Sequence, residues 1–315
     1  MTSLPGKALL IAVKGDTPEL YRQRFLAEIP WLTVHLEGET YDPATIAHVV
    51  CWRPTPGLLA SLPRLEAIFS MAAGVDHILA DPHVPEAVPI VRLVHDGIGE
   101  QLRDYAIHSV LHYYRRMDVC AELQASRAWD FLRIRPKSSF RPALMGLGEA
   151  GRTMAGGLGA LGFPVMGWSR SARSIEGVTC FSGADGLDAM LAETSVLISI
   201  LPSTADTVGI LNAGLFARLP RGAYLVNLGR GSHLVEGDLV AALDNGQLAG
   251  ATLDVFAVEP LPADSPLWHH PLIRVTPHLG SDNDADIVVE SVAANLRRIA
   301  EGLPPAPIFD RLRGY

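Results

Sequence analysis

The chain has 315 residues, 48% of them apolar and 19% charged, with a formal net charge of −8. That length exceeds a usual single core and predicts two domains of a well-packed soluble protein. The acidic balance argues against a nucleic-acid partner, which would ask for a basic stripe, and no run reaches the roughly 18 apolar residues of a membrane span.

Cys51, Cys120 and Cys180 are too few and too scattered for a disulfide framework or a zinc site, so a reducing compartment is expected. The N-terminus has no charged segment ahead of a long apolar stretch, and the expected location is the cytoplasm. Residues 7–13 (KALLIAV) predict a buried strand, 17–29 a helix, and the apolar runs near 47–52, 65–70 and 88–94 further strands. Their alternation with helical or turn segments predicts a parallel sheet covered on both faces. After the run at 65–70, Met71-Ala72-Ala73-Gly74-Val75-Asp76 leaves backbone N–H groups accessible; it reads either as a cradle for a small anion or as a turn.

From Gly99 the pattern changes to a long amphipathic helix, GEQLRDYAIHSVLHYYRR, with apolar residues at 102, 106, 110, 113 and 114, and the first domain boundary is placed there. His108 and His112 are four residues apart, as metal ligands are, but Ser109 stands where a zinc protease needs Glu, and packing histidines are expected. No metal site is predicted. Residues 126–139, with Trp129, Arg133, Arg135 and Lys137, read as a polar connector.

Residues 140–170 read as strand, tight turn, helix and second strand around Gly146-Leu147-Gly148-Glu149-Ala150-Gly151. In a dinucleotide site the first glycine permits the turn, the second lets N–H groups approach a pyrophosphate at the helix N-terminus, and the third lets helix and strand pack closely. A carboxylate after the second strand binds the ribose 2′-OH of NAD. This chain offers Ser169, Arg170, Ser171 and Arg173 there, with no acid competing. Two guanidiniums and two hydroxyls suit a 2′-phosphate, so NADP(H) is expected over NAD(H), which stays possible.

Buried strands follow at 195–201, 223–229, 251–256 and 272–276. Ligands of open parallel sheets bind beyond the carboxyl ends of the strands. The loops there carry Pro202–Thr207, Arg230-Gly231, Glu259-Pro260 and Pro277-His278, so an arginine, a carboxylate and a histidine stand at consecutive strand ends.

The GLGEAG turn at 146–151, LPSTADT at 201–207, VNLGRG at 226–231, LDVFAVEPLP at 253–262 and TPHLG at 276–280 together resemble the D-isomer-specific 2-hydroxyacid dehydrogenase family. AAGVD at 72–76, the helix at 99–116, WSRS at 168–171, SPLWHHP at 265–271 and the final Arg-Gly-Tyr are most similar to its glyoxylate/hydroxypyruvate reductase A group. The resemblance covers nearly the whole chain. It implies an α/β fold of two doubly wound parallel-sheet domains, a Rossmann dinucleotide-binding domain (99–285) inserted into a flavodoxin-like substrate domain (1–98 and 286–315). It assigns Arg230 to the substrate carboxylate and carbonyl, His278 to the proton and Glu259 to the histidine. It assigns Ala73 and Gly74 backbone groups to the substrate carboxylate, Trp52 to an aromatic wall of the pocket, and Asp254 to the nicotinamide amide. Leu201, Pro202, Thr207, Leu228 and Gly229, within its strand-end motifs, are expected to line the cofactor. The implied activity is NADPH-dependent reduction of small 2-oxo acids, glyoxylate and hydroxypyruvate, by a homodimer formed through the dinucleotide-binding domain.

The chemistry supports these roles independently. Reducing a 2-oxo acid turns the carbonyl oxygen into an alkoxide, so an acid must stand within hydrogen-bond reach, and a histidine oriented by a carboxylate suits that task. A guanidinium can orient the substrate and stabilise the developing charge. Pro142 is expected at the start of its strand, where no ladder donor is lost. Gly156, Gly157 and Gly159 weaken the following helix by roughly 0.5–1 kcal/mol each relative to alanine. Where the relatives carry small alanines after the histidine, this chain has Leu279-Gly280-Ser281-Asp282-Asn283-Asp284, near the carbonyl pocket. Two alternatives share the motifs: a dehydrogenase of larger 2-oxo acids, and a non-catalytic dinucleotide-binding regulatory protein.

Overall fold

Apolar runs without polar alternation become strands buried on both faces, which is the condition for an all-parallel sheet. In the computed structural model, which describes residues 6–14, 17–282, 284–311 and 314, these runs form two such sheets. Asn283, Arg313 and Tyr315 of the motifs above lie outside the described residues.

The N-terminal part runs β1 (Ala8–Val13), α1 (Pro18–Glu28), β2 (Thr33–Leu36), β3 (Ile46–Trp52), β4 (Ala67–Ser70), α2 (Asp76–Leu79) and β5 (Ile90–Val91). Among the described residues the sheet order is β2-β1-β3-β4-β5, all parallel. This is the flavodoxin-like 2-1-3-4-5 order. Pro18 opens α1, where its missing N–H costs nothing, and the helix buries Tyr21 and Phe25. Strand β2 was not anticipated; it is a half-exposed edge without the apolar run that marked the others. The last helix, Ala285–Ala300, returns to this unit, with Asp286 paired to Arg24 at 2.5 Å and Arg297 to Glu28 at 2.5 Å. The chain end runs beside β5, the Phe309 N–H donating to the Ile90 carbonyl at 2.8 Å.

The middle of the chain continues with α3 (Asp96–Tyr114), α4 (Met117–Ser126), β6 (Pro142–Met145), α5 (Glu149–Ala160), β7 (Val165–Ser169), β8 (Val178–Ser182) and α6 (Gly183–Leu191). It then forms β9 (Val196–Ser199), α7 (Ala213–Phe216), β10 (Ala223–Asn227), α8 (Glu236–Asp244), β11 (Leu248–Leu253) and β12 (Ile273–Val275). The order β12-β11-β10-β9-β6-β7-β8 is parallel throughout and contains the Rossmann order with a seventh strand added. Strand order reverses between β6 and β9, and the glycine turn follows β6. Pro142 is the first residue of β6.

Two compact units result, Met1–His95 with Asn283–Tyr315, and Asp96–Asp282. The expected crossings at 98 and 285 lie three residues beyond those at 95 and 282. Helix α3 begins before Gly99, and α4, for which the sequence suggests no element, buries none of its residues. Gly157 is where α5 meets α3: a Cβ there would lie 2.6 Å from Arg103 Cγ, whereas at Gly156 and Gly159 it would meet nothing within 4 Å. One of the three helix-weakening glycines is therefore required by packing.

Candidate active site

Three glycines build the turn after β6, each for a different reason. Gly146 has φ +114°, and a Cβ there would lie 2.8 Å from the Ile200 carbonyl oxygen. At Gly151 a Cβ would lie 2.0 Å from the Gly146 carbonyl oxygen, so α5 sits closer to the turn than a side chain allows. At Gly148, the N-cap of α5, a Cβ would meet nothing within 4 Å, and no side chain caps the helix. The first-turn N–H groups, those of Glu149, Ala150 and Gly151, lack intrahelical acceptors by geometry, and such an end favours an anion. Leu147 is buried and packs where Gly167 of β7 leaves room, since a Cβ on Gly167 would lie 2.4 Å from Leu147 Cδ2.

At the end of β7, Ser169 is buried and its hydroxyl donates to the Ser171 carbonyl at 2.8 Å, which shapes the loop and leaves Arg170, Ser171 and Arg173 exposed. One expectation is corrected here. Asp206, from the loop after β9, lies 3.9 Å from Arg170, so an acid does stand beside the basic cluster. It is invisible in the local sequence because it arrives from another strand end.

The loop after β9 is closed by Thr207, whose hydroxyl accepts the Thr204 N–H at 2.9 Å and donates to the Pro202 carbonyl at 2.8 Å. Leu201 and Leu228 are buried, and the Leu228 N–H bonds the Ser199 carbonyl at 2.9 Å. His233, fully buried and overlooked in the sequence, ties this loop to the arginine. Its Nδ1 accepts the Arg230 N–H at 3.3 Å, and its Nε2 lies 3.2 Å from the Pro202 carbonyl. A backbone N–H can only donate and a carbonyl only accept, so the ring is the neutral tautomer with its proton on Nε2. Gly229 is needed beside this ring, because a Cβ there would lie 2.9 Å from Nδ1.

The Arg230 guanidinium donates to the Gly229 carbonyl at 2.8 Å, and the Arg230 carbonyl accepts the buried Asn227 amide at 3.1 Å. At Gly231 a Cβ would lie 1.8 Å from the Phe256 carbonyl carbon, so the arginine turn packs directly on the backbone leading to Glu259. Glu259 accepts the Phe256 N–H through Oε1 at 3.0 Å and bonds His278 Nδ1 through Oε2 at 2.9 Å. The carboxylate fixes the ring, and the His278 side chain is 38% exposed. Asp254 is 2% exposed, and its carboxylate accepts the Thr276 hydroxyl at 2.6 Å and the N–H groups of Leu279 and Gly280 at 2.9 and 2.8 Å. Sequence reading did not foresee that Asp254 anchors the histidine turn. A carboxylate has about four acceptor positions, so one is left for a ligand.

In the other unit, Trp52 ends β3, and its ring lies 4.2 Å from that of His77 and under the Arg53 guanidinium. The turn of Ala73 and Gly74 is held by Arg92, which donates to the Ala73 carbonyl at 2.8 Å, and by the Ser70 hydroxyl, 2.8 Å from the Ala72 carbonyl and 3.1 Å from that of Gly74.

The open cradle at Gly148 and the exposed cluster of Arg170, Ser171 and Arg173 fit a phosphorylated dinucleotide. Among the described residues no group of three or more His, Cys, Asp or Glu is arranged to hold a metal ion, and no helix is long and apolar enough to cross a membrane. Fold and site together define a pyridine-nucleotide dehydrogenase.

Residues 107–280 match the family model described as D-isomer specific 2-hydroxyacid dehydrogenase, NAD binding domain. The chain is 42% identical over 279 residues to a glyoxylate/hydroxypyruvate reductase A of Serratia proteamaculans, covering 87% of this chain and 89% of that protein. It is 44% identical to the protein of that name from Escherichia fergusonii over 280 residues, again with 87% and 89% covered. A D-isomer specific 2-hydroxyacid dehydrogenase of Xanthobacter autotrophicus Py2, solved with NADPH and MES, superposes with a TM-score of 0.93 at 35% identity over 98% of this chain and 99% of that one. An NADPH-dependent glyoxylate/hydroxypyruvate reductase of Sinorhizobium meliloti, solved with NADP and sulfate, gives 0.92 at 35% identity, covering 98% and 100%. The chain belongs to the D-isomer-specific 2-hydroxyacid dehydrogenase family.

Proposed function

We propose that this protein reduces small 2-oxo acids, glyoxylate and hydroxypyruvate, to the 2-hydroxy acids with NADPH. The observation that carries the reading is the His278–Glu259 pair at 2.9 Å on an exposed ring, beside the arginine turn, in a chain 44% identical to a reductase of that name. When bound, the nicotinamide supplies the hydride. Arg230 holds the carboxylate and carbonyl of the substrate and stabilises negative charge on the oxygen. His278 gives the proton to that oxygen from Nε2, and Glu259 on Nδ1 keeps the ring oriented. Asp254 takes the nicotinamide amide, and Gly146–Gly151 with Leu201, Pro202, Thr207, Leu228 and Gly229 form the cofactor bed. Trp52 and the backbone of Ala73 and Gly74 contact the substrate; residues 1–98 and 286–315 serve it, and 99–285 serve the cofactor.

NADPH is preferred because Arg170 and Arg173 are exposed and only NADPH carries a 2′-phosphate. A substrate panel including larger 2-oxo acids, run with NADPH and NADH, tests both halves of the reading. Turnover of glyoxylate and hydroxypyruvate with NADPH is expected, and Arg170→Asp should weaken or reverse the cofactor preference. Equal efficiency with both cofactors would overturn the preference; no turnover would favour a regulatory protein. Leu279, 52% exposed next to His278, is where altered size preference would arise.

We further infer a homodimer formed through the second unit, in the cytoplasm. Helix α4 buries none of its residues, and Trp129 and Phe131 after it are 86% and 92% exposed, an apolar surface that a second copy would cover. Light scattering at micromolar concentration should give the dimer mass.

A further inference from the structure

We propose that Tyr105 and Thr276 are positioning residues that hold the His278 turn through Asp254, an assignment that rests on the reading of His278 as the acid. The Tyr105 hydroxyl lies 2.5 Å from Thr276 Oγ1, and the Thr276 hydroxyl donates to Asp254 Oδ1 at 2.6 Å. The carboxylate can only accept, so the single Thr276 proton is committed to it and Tyr105 must be the donor to Thr276. The relay therefore has one direction, Tyr105 to Thr276 to Asp254. Burial pushes the Tyr105 phenol up to about 12, which keeps the donor protonated.

The far end of the relay is the catalytic turn. His278 has φ +54°, a left-handed conformation that a non-glycine residue keeps only when its surroundings impose it. Asp254 imposes it from both sides: its carbonyl accepts the His278 N–H at 2.9 Å, and its carboxylate accepts those of Leu279 and Gly280. Gly280 completes the wrap, since a Cβ there would lie 2.8 Å from Asp254 Oδ2 and 3.3 Å from Leu102 Cδ2. Leu102 and Tyr105 both belong to α3, so the long helix is the wall against which the turn is fixed. The substrate is held by Arg230 on a different turn, so loosening this one should slow chemistry without weakening substrate binding.

The test compares Thr276→Val, Thr276→Ser and Tyr105→Phe in the full protein with glyoxylate and NADPH. Thr276→Val keeps the shape and removes the hydroxyl, and should lower kcat about 10- to 100-fold, the scale of an ångström's misplacement, with the KM for glyoxylate within about two-fold. Thr276→Ser should restore kcat, and Tyr105→Phe should lower it less, about three-fold, because it removes only the outer donor. Unchanged kcat in Thr276→Val would overturn the relay, and so would a rise in KM equal to the fall in kcat or a failure of serine to rescue. If the unmodified protein turns over no 2-oxo acid, the functional reading fails instead. The relay is then judged on the imidazole NMR resonances of His278, which Thr276→Val must move and Thr276→Ser must leave in place; resonances unmoved by valine overturn it.

Discussion

At the end of β7 the groups proposed for the cofactor phosphate, Arg170, Ser171 and Arg173, are exposed, and a Cβ at Gly148 would meet nothing within 4 Å. Around His278 the reverse holds: Glu259, Asp254, Thr276 and Tyr105 join in hydrogen bonds of 2.5–2.9 Å, and the turn can take few other shapes. The contrast follows from the roles proposed for the two ends. A phosphate brings its own charge and orders flexible guanidiniums on arrival, whereas proton transfer needs an acid already in place when the oxygen becomes charged.

The largest effect that would break this contrast comes from His278→Ala. Reduction should fall about 10²–10⁴-fold in kcat, while NADPH affinity by fluorescence titration stays close to that of the unmodified protein. Lost NADPH binding in that variant would mean that the two ends are not separable.

Acid pH offers a control on folding as against chemistry. His48 on β3 is fully buried, neither ring nitrogen has a hydrogen-bond partner among the described residues, and burial lowers its pKa from 6.5 to about 4, with Glu66 opposing. The folded value lies below the unfolded one, so the stability linked to neutral His48 is complete above pH 6.5 and is lost as pH falls toward 4. That loss should reach up to about 3 kcal/mol. Urea midpoints across this range should drop for the natural chain and stay flatter for His48→Leu.

At the cofactor end, Gly148→Ala should weaken NADPH about ten-fold, since the methyl would occupy the space a pyrophosphate needs, while Tm changes little because it meets no protein atom within 4 Å. The smallest effect sharpens the contrast. Asp206 and Arg170 are both exposed, so their 3.9 Å pair is worth little. Asp206→Asn should tighten NADPH about two-fold, leave NADH unchanged and lose its effect at high salt.

Much of the fold was legible because its signals are local. The apolar runs of β1, β3, β4 and β9–β12 announce buried strands, although those of the second unit end earlier than the runs do: β9 stops at Ser199 where the apolar residues continue to Leu201. Strand β2 and helix α4 stayed hidden because their residues lie at an edge or on the surface, where burial imposes no pattern.

By itself the sequence determined most of the buried strands, the glycine turn and the presence of an arginine, a carboxylate and a histidine (Arg230, Glu259 and His278) at consecutive strand ends, since each follows from residue chemistry within a few positions of a strand end. Tertiary structure alone decided what faces them. Asp206 reaches Arg170 from another strand, His233 joins the Pro202 loop to the Arg230 turn, and Tyr105 meets Thr276 from 171 residues away. Such partners are set by sheet order and by close packing at Gly157, Gly231 and Gly280, where a Cβ would run into the Arg103 side chain, the Phe256 backbone and the Asp254 carboxylate, and no local pattern encodes that approach.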